Sequence, residues 1–561
     1  MKRSRRAALV LSLMAATFLG TVRAADDPAD KTTTSTTSNA AELAKLKAQL
    51  EEQQKQIEQL SAILAAQKRM LDQVSASPAQ PAHILPNLGE VASTTPMVPP
   101  VPVVPAPAFP SAPATPAPAP QPVAEGTAPL QLKIGDATIQ PIGFMDFTAV
   151  FKSENAGGSI GSSFGSVPYD NTTTGTSRLS EFRFSPQNSR IGFRFDANVG
   201  DAHIIGYNEN DFLGTSGTNN LSVTNGAFVP RLRLFWVDIR KGQWEILGGQ
   251  SWSLLTPNRK GLSPLPGDIF FSQATDVNYL AGLTWTRQPG FRVVYHPDNK
   301  VAVGLALENP DAYIGGSSGG PSPVLPTALS GLAGVQLDNA STVQTTPNLH
   351  PDIIMKLAFD PISQVHFEMA GIERTFKDWN PTTNVFFTKV GGGVSFNGNF
   401  EIVKNLRLIT NNYWSDGGGR YMFGQAPDLM IRSDGSISPI HSGGAIQGFE
   451  ATLNKTQLYS YWSGIYIGKD VGLDANGTSL IGYGYRGSAN SQDRYIQEIT
   501  FGFNQTIWKD AKWGAVNVMG QYAYIFREPW YLAVNAPKSA HDDTVFLNLR
   551  YTLPGAPPAA K

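Results

Sequence analysis

From Arg494 to Ile507 the chain reads RYIQEITFGFNQTI, an alternation regular enough to sort into two faces. Tyr495, Ile499, Phe501, Phe503 and Ile507 fall on one side, and Arg494, Glu498, Thr500, Gly502, Asn504 and Thr506 on the other. A period of two belongs to a strand with one apolar and one wet surface. The stretch Thr544 to Leu553 repeats it: Val545, Leu547, Leu549, Tyr551 and Leu553 oppose Thr544, Asn548, Arg550 and Thr552. About ten residues of such alternation, recurring with Tyr and Trp near the ends, fit a strand between lipid and a water-filled lumen. The expected fold is all-β, a closed transmembrane antiparallel barrel over residues 130–554, with 555–561 as a tail.

The same pattern recurs between Gly, Asn, Asp and Pro clusters. Gly143 to Phe151 puts Met145, Phe147 and Phe151 outward against Phe144, Asp146 and Thr148. Ile191, Phe193 and Phe195 oppose Arg190, Gly192, Arg194 and Asp196. Phe182 and Phe184 stand in the opposite phase, so a bulge or bend is expected near Pro186. Further strands are expected at Ala202–Asn210, Arg231–Arg240, Trp244–Gln250, Leu283–Tyr295, Val301–Glu308, Ile353–Phe359, Val365–Ala370, Phe386–Phe400, Leu406–Ile409, Gly448–Leu453, Tyr459–Ile467 and Val516–Phe526. With the two opening stretches that is about sixteen, and single-chain bacterial barrels carry even numbers. Short turns, such as Asp360-Pro361-Ile362 and Pro297 to Lys300, alternate with long connections, such as Ile314 to His350 and Ser415 to Ala445. That asymmetry separates a periplasmic from an outer end. No fixed-period repeat supports a solenoid.

The N-terminal 129 residues are built differently. Residues 1–24 read as a secretory signal: Lys2, Arg3, Arg5 and Arg6, an apolar run from Ala7 to Leu19, and Val22-Arg23-Ala24 as the cleavage site. That run is too short to span a bilayer core of about 30 Å. A Thr/Ser-rich spacer (25–40) leads into 41–76, where Leu43, Leu50, Ile57, Leu64 and Leu71 recur every seven residues. Leu46, Gln53, Leu60, Gln67 and Val74 take the alternate seam position, which predicts a self-associating coiled coil on the order of 50 Å long. Gln53 and Gln67 in the seam favour one register, but the residues leave the number of helices open. Residues 77–129 are rich in Pro, Ala and Val, a composition that favours a stiff polyproline spacer.

Composition removes several classes of function. The chain has no Cys, hence no disulfide framework, thiolate metal site, thiol nucleophile or lipid-bearing Cys. A net charge of -1 with no basic cluster beyond the leader gives no footprint for nucleic acid. GYGYRG (Gly482, Gly484, Gly487) matches a dinucleotide-binding pattern, but strand and loop surround it instead of an opening helix. The seven His residues lack metal-ligand spacing, and GIYIGK (Gly464 to Lys469) lacks the phosphate-loop spacing. No catalytic residue, metal or cofactor is expected.

A lumen selects solutes through fixed charge. Parity turns Arg190, Arg194, Arg231, Arg233, Arg292, Lys356 and Arg407 inward, with Asp146, Asp196, Glu368 and Glu498 among them. Two readings stand: these charges select permeants, or they pair and stiffen the wall. Asp238 and Arg240 fall outward in the phase that turns Arg233 inward, which predicts a bulge near Trp236 or a strand end outside the lipid belt. The connection Ser251 to Asn278, carrying Arg259, Lys260, Asp268 and Asp276 among prolines, is expected to fold into the lumen as a constriction; the alternative is an exposed loop.

The leader, heptad helix and Pro-rich linker ahead of a barrel, with NSRIGFRFDA (Asn188 to Ala197), RLRLFWVDIR (Arg231 to Arg240), WEILGGQSW (Trp244 to Trp252) and ALENP (Ala306 to Pro310), resemble the DcaP-like outer-membrane porins. The barrel stretches alone resemble general trimeric porins too. The resemblance implies a homotrimer of sixteen-stranded pores, a trimeric periplasmic coiled coil, an infolded third extracellular loop corresponding to Ser251–Asn278, and passage of small organic anions such as dicarboxylates. Two features depart from the pattern: the Pro-rich linker is longer, and TLPGAPPAAK follows Tyr551 where an aromatic terminus is expected. The expected partners are further copies of the chain, outer-membrane lipid, small hydrophilic solutes and peptidoglycan or other periplasmic components. The alternative function is a barrel-anchored tether joining the outer membrane to the cell wall through the coiled coil and linker.

Overall fold

The computed structural model describes residues 130–554, apart from 158–159, 162, 173–174, 215–227, 265–278, 317–319, 339–345, 489–491 and 533. The signal sequence, the heptad seam from Leu43 to Val74, the Pro-rich linker and the tail lie outside the described residues.

In chain order the strands are β1 (Leu132–Ile134), β2 (Ala137–Lys152), β3 (Glu181–Ser185), β4 (Arg190–Val199), β5 (Ala202–Gly214), β6 (Val229–Lys241), β7 (Trp244–Trp252), β8 (Arg287–Tyr295), β9 (Val301–Glu308), β10 (Asp352–Ile362) and β11 (Val365–Asn380). They continue as β12 (Val385–Val403), β13 (Leu406–Asp416), β14 (Leu429–Ile431), β15 (Ile437–Pro439), β16 (His441–Leu453), β17 (Thr456–Ile467), β18 (Asp470–Leu473), β19 (Leu480–Tyr483), β20 (Asp493–Asp510), β21 (Gly514–Pro529) and β22 (Ala540–Thr552). Eighteen of these form one sheet; β14–β15 and β18–β19 are separate hairpins within long loops. β3 and β4 are the two halves of one wall strand, and β1 is a stub paired with the foot of β2, so the wall has sixteen strands. It closes where β2 pairs with β22, from Phe144↔Thr552 to Lys152↔Thr544.

Alternation sets the two faces. Met145 and Phe147 on β2 are 66% and 50% exposed, while Asp146 and Thr148 between them are buried. Ile191, Phe193 and Phe195, Met355, Leu357 and Phe359, and Leu547 and Leu549 continue that exposed apolar exterior around the wall. An exposed apolar surface of this extent is foreign to a protein surrounded by water.

Residues 186–189 interrupt the wall, with Thr148 opposite Ser185 above the break and Phe144 opposite Arg190 below it. The extra residue keeps Phe182 and Phe184 outward together with Phe193 and Phe195, as the bend near Pro186 required. On β6 the pairing jumps from Glu209↔Leu234 to Asn210↔Leu232, so the bulge lies at Arg233–Leu234 and not at Trp236. Below it Trp236 and Asp238 turn inward, which resolves the conflict of phase. A further register shift, between Asp493 and Tyr495, corrects the sequence reading of Arg494: its side chain lies outside, over the Tyr495 ring at 4.8 Å.

Short turns close one end of the barrel. Asn405 (φ 68°) and Asn454 (φ 56°) take the left-handed conformation that tight hairpin turns demand. Asp360-Pro361-Ile362 belongs to the end of β10, not to a turn; Ser363 and Gln364 make the reversal. Long connections fill the other end, where Ala312, Ile314, Leu329, Leu332, Leu429 and Ile431 form a small core of their own.

Candidate functional site

The connection from β7 to β8 is described over 253–264 and 279–286, and both pieces lie against the inner wall. Leu283 and Trp285, expected to open β8, belong to this connection and are buried in the main apolar cluster. Side chains of the wall hold the described pieces. Glu308 accepts from the Leu254 amide (2.7 Å), Glu368 from the Asn258 amide (3.0 Å) and Asp360 from the Gly261 amide (2.9 Å). Lys356 donates to the Thr256 carbonyl (2.8 Å), and Glu450 receives both Arg259 amino groups (2.8 Å each). Glu498, on the far wall, accepts from the Ala281 amide (3.1 Å).

Beneath these bonds the wall is small and apolar. Ala302, Gly304 and Ala306 on β9 sit under Leu254 and Leu262. Gly282 (φ 86°) lies so close to Gly444 and Gly464 that a Cβ on either Gly282 or Gly444 would strike the other's backbone or a neighbouring carbonyl. This close approach, and the positive φ, both require glycine.

The charges expected inward are buried or half-buried, and most are paired. Arg190, Arg231 and Arg233 gather on Glu209 and Asp211: Arg233 reaches both carboxylates at 2.7 Å, Arg231 reaches Asp211 at 2.6 Å and Arg190 lies 3.7 Å from Glu209. Among the described residues three guanidiniums therefore meet two carboxylates. Arg194 grips Asp196 with two bonds (2.7 and 2.8 Å), and His203 adds a third contact to that carboxylate. Asp146 binds Arg550 (2.7 Å), Asn548 and Thr148. Lys356 and Glu368 pair at 2.8 Å, fully buried under the β7–β8 connection, and Glu498 is equally covered. Arg292 is buried, with its Nε and Nη2 lacking a hydrogen-bond partner among the described residues.

Arg407 is half-buried and bonds Asn399 (3.1 Å) and Glu401 (3.3 Å). It stands across the strand pair from Glu450, the carboxylate that holds Arg259. Lys260, next in sequence, is exposed. The fold thus brings the adjacent Arg259 and Lys260 toward Arg407, which lies far along the chain. Asp268 and Asp276 lie outside the described residues. Sequence reasoning passed over Glu209, Asp211, Glu308, Asp360 and Glu450 as partners; the parity that found the cations marks Glu209, Glu308 and Glu450 too.

Above the wall, Arg420 reaches Asp311 and donates to the Asn309 carbonyl (2.8 Å), while Asp428 takes the Arg420 amide (2.8 Å) and Arg374 (2.7 Å). Burial pushes the Asp428 carboxyl above its ordinary range, with Arg374 opposing the shift. No group of three or more potential metal ligands is found among the described residues.

No protein-family model matches the chain, and no curated protein matches it in sequence. Solved structures do match in shape. The outer membrane channel DcaP of Acinetobacter baumannii superposes with a TM-score of 0.53 at 17% identity, covering 75% of this chain and 99% of that one. An anion-selective porin from Comamonas acidovorans gives 0.42 at 10% identity, covering 74% and 100%. OmpF of Salmonella typhi in complex with daunomycin gives 0.41 at 10%, covering 75% and 100%. The fold is that of the outer-membrane porins. Within that class, the DcaP barrel is a solved structure to which this one is similar over three-quarters of the chain.

Proposed function

We propose that the chain is an outer-membrane porin of the DcaP-like kind: a passive, water-filled channel for small hydrophilic solutes, favouring small organic anions such as dicarboxylates. It resides in the outer membrane as a homotrimer, with the leader removed and the coiled coil and Pro-rich linker in the periplasm. The observation that carries this reading is a closed sixteen-stranded wall, apolar outside and charged inside. The β7–β8 connection narrows the lumen, and its bonds to Glu308, Lys356, Glu368, Glu450 and Glu498 support that role.

Passage needs no chemical step. Lumenal charges are set in place before a solute arrives, so they bias entry without the cost of reorganising. Two groups supply lumenal cations: Arg190, Arg231 and Arg233 around Glu209 and Asp211, and Arg259, Lys260 and Arg407 around Glu450 and Glu401. The wall pairs hold each guanidinium in position, and Lys260 and the half-buried Arg407 face the solute. Arginine stays charged and can fork onto a carboxylate.

The test is current through planar bilayers under a salt gradient, followed by succinate. Discrete steps, an anion-favouring reversal potential and succinate-induced flicker are expected. An intact barrel that inserts without steps contradicts the channel, and a cation-favouring potential contradicts the preference for anions.

A further inference from the structure

On the outer wall, where β17 ends and β20 begins, two cations share one ring. Lys469 Nζ lies 4.5 Å from the centre of the Trp530 indole and 4.6 Å from that of Tyr531. The Arg494 guanidinium lies 4.9 Å from the same indole and 4.8 Å from the Tyr495 ring. The indole is fixed by its Nε1–H, which donates to the Ile467 carbonyl at 2.9 Å, and Lys469 donates to the Tyr531 hydroxyl at 2.8 Å. Tyr466 packs against both Tyr495 (5.5 Å) and Trp530 (6.1 Å), so the cations stand on an aromatic belt of the kind that marks the rim of a lipid-facing band. Both cations are exposed, and neither has an ion pair among the described residues. Glu528, opposite Tyr495 on β21, is exposed and pairs with neither.

Two like charges set around one ring, without a carboxylate between them, repel each other unless a dianion joins them. Their aromatic supports hold the heads in place and cut the entropy that surface cations normally lose on binding. We propose that Lys469 and Arg494 form a binding site for the phosphate monoester of a glycolipid headgroup in the outer leaflet. The phosphate bridges the two cations, and the acyl chains lie along the apolar wall below. The position of the pair beside the belt selects a membrane lipid over free phosphate, because the ligand's tail gains the exposed apolar face. This proposal rests on the outer-membrane reading given above.

The experiment uses the full chain, reconstituted in vesicles of phosphatidylcholine with or without lipopolysaccharide, then extracted in mild detergent and assayed for retained lipopolysaccharide. Wild type is expected to retain it. Lys469→Gln with Arg494→Gln is expected to retain roughly ten-fold less, since each lost contact is charge-assisted. Lys469→Arg, which keeps the charge, is expected to retain it, and Lys512→Gln, beside Trp513 at the short-turn end, is expected to change nothing. Equal retention by the double variant overturns the proposal, as does complete displacement of the lipid by millimolar inorganic phosphate. Conductance of the same samples separates the failures: a conducting wild type that holds no lipopolysaccharide overturns this site alone, and a chain that neither conducts nor holds it overturns the channel reading as well.

Discussion

The inner faces of β4–β6 and of β9–β10 are made from the same alternation and have opposite contents. On β4–β6 the inward positions carry Arg190, Arg194, Asp196, Glu209, Asp211 and Arg233, which pair with one another within the wall. On β9–β10 they carry Ala302, Gly304, Ala306, Ile354 and Ala358, interrupted by Lys356 and ending at Glu308, and their partner is the connection from β7 to β8. A wall that carries both signs of charge can neutralise them locally. A wall that receives a segment needs small side chains for close approach and a few polar groups for the segment's backbone, because a buried amide without an acceptor is costly.

The largest effect expected from breaking this difference is at Lys356. Lys356→Ala removes the ammonium 2.8 Å from the buried Glu368 carboxylate and the bond to Thr256, and should cost about 3–5 kcal/mol, read as a fall in the denaturant midpoint of the barrel. Lys356→Met, similar in length, still takes the ammonium from Glu368, whose contacts to Asn258, Asn397 and His366 remain, and should also destabilise; a wild-type midpoint for both would show that the covered half does not depend on this pair. Gly444→Val drives a side chain into the backbone of Gly282 and should cost about 1–3 kcal/mol. It should also raise single-channel conductance, by dislodging the segment from β16 and β17.

Smaller effects belong to exposed charge. Lys260→Gln should shift the anion-to-cation permeability ratio toward cations by roughly two-fold, since one charge about 8 Å from a solute in water is worth about 0.5 kcal/mol. An unchanged reversal potential would remove Lys260 from the selective surface. The smallest concerns the loop end, where Asp474 accepts from the Thr327 hydroxyl (2.7 Å) and amide (3.2 Å). Bonds from the Thr327 hydroxyl, then the Ala475 and Thr327 amides, hold its carboxyl below the ordinary range. A depressed acid stabilises above its unfolded value, about 3.9, and loses that contribution as pH falls through its lower folded value. Protection of the Thr327 amide, its exchange rate relative to that of an unstructured amide at the same pH, should therefore fall on acidification below that range, and Asp474→Asn should abolish that fall.

The wall was legible because a period of two needs no partner to be read: each of the sixteen anticipated stretches overlaps a wall strand. Boundaries drifted where the chain stops obeying parity. Leu283 and Trp285 look like strand residues, yet pack as loop against the lumen. Arg494 alternates correctly, but a shifted register turns it outward. Which cations pair with which carboxylates was not legible, since Arg259 meets Glu450 only after the six wall strands β8 to β13 separate the β7–β8 connection from β16 and fold the chain round. The small residues of β9 were a signal left unused: Ala302, Gly304 and Ala306 are poor company for water and good seats for a packed segment.

Because the chain has no Cys, single thiols can be placed at will. The most direct test compares Ala306→Cys, beneath the β7–β8 connection, with Asn504→Cys, a half-buried inward position on β20. Each is followed by current through bilayers as a charged thiol reagent is added. The account predicts that Asn504→Cys reacts and the current falls, while Ala306→Cys conducts unchanged. Equal reaction at both positions would contradict a lumen narrowed by that segment.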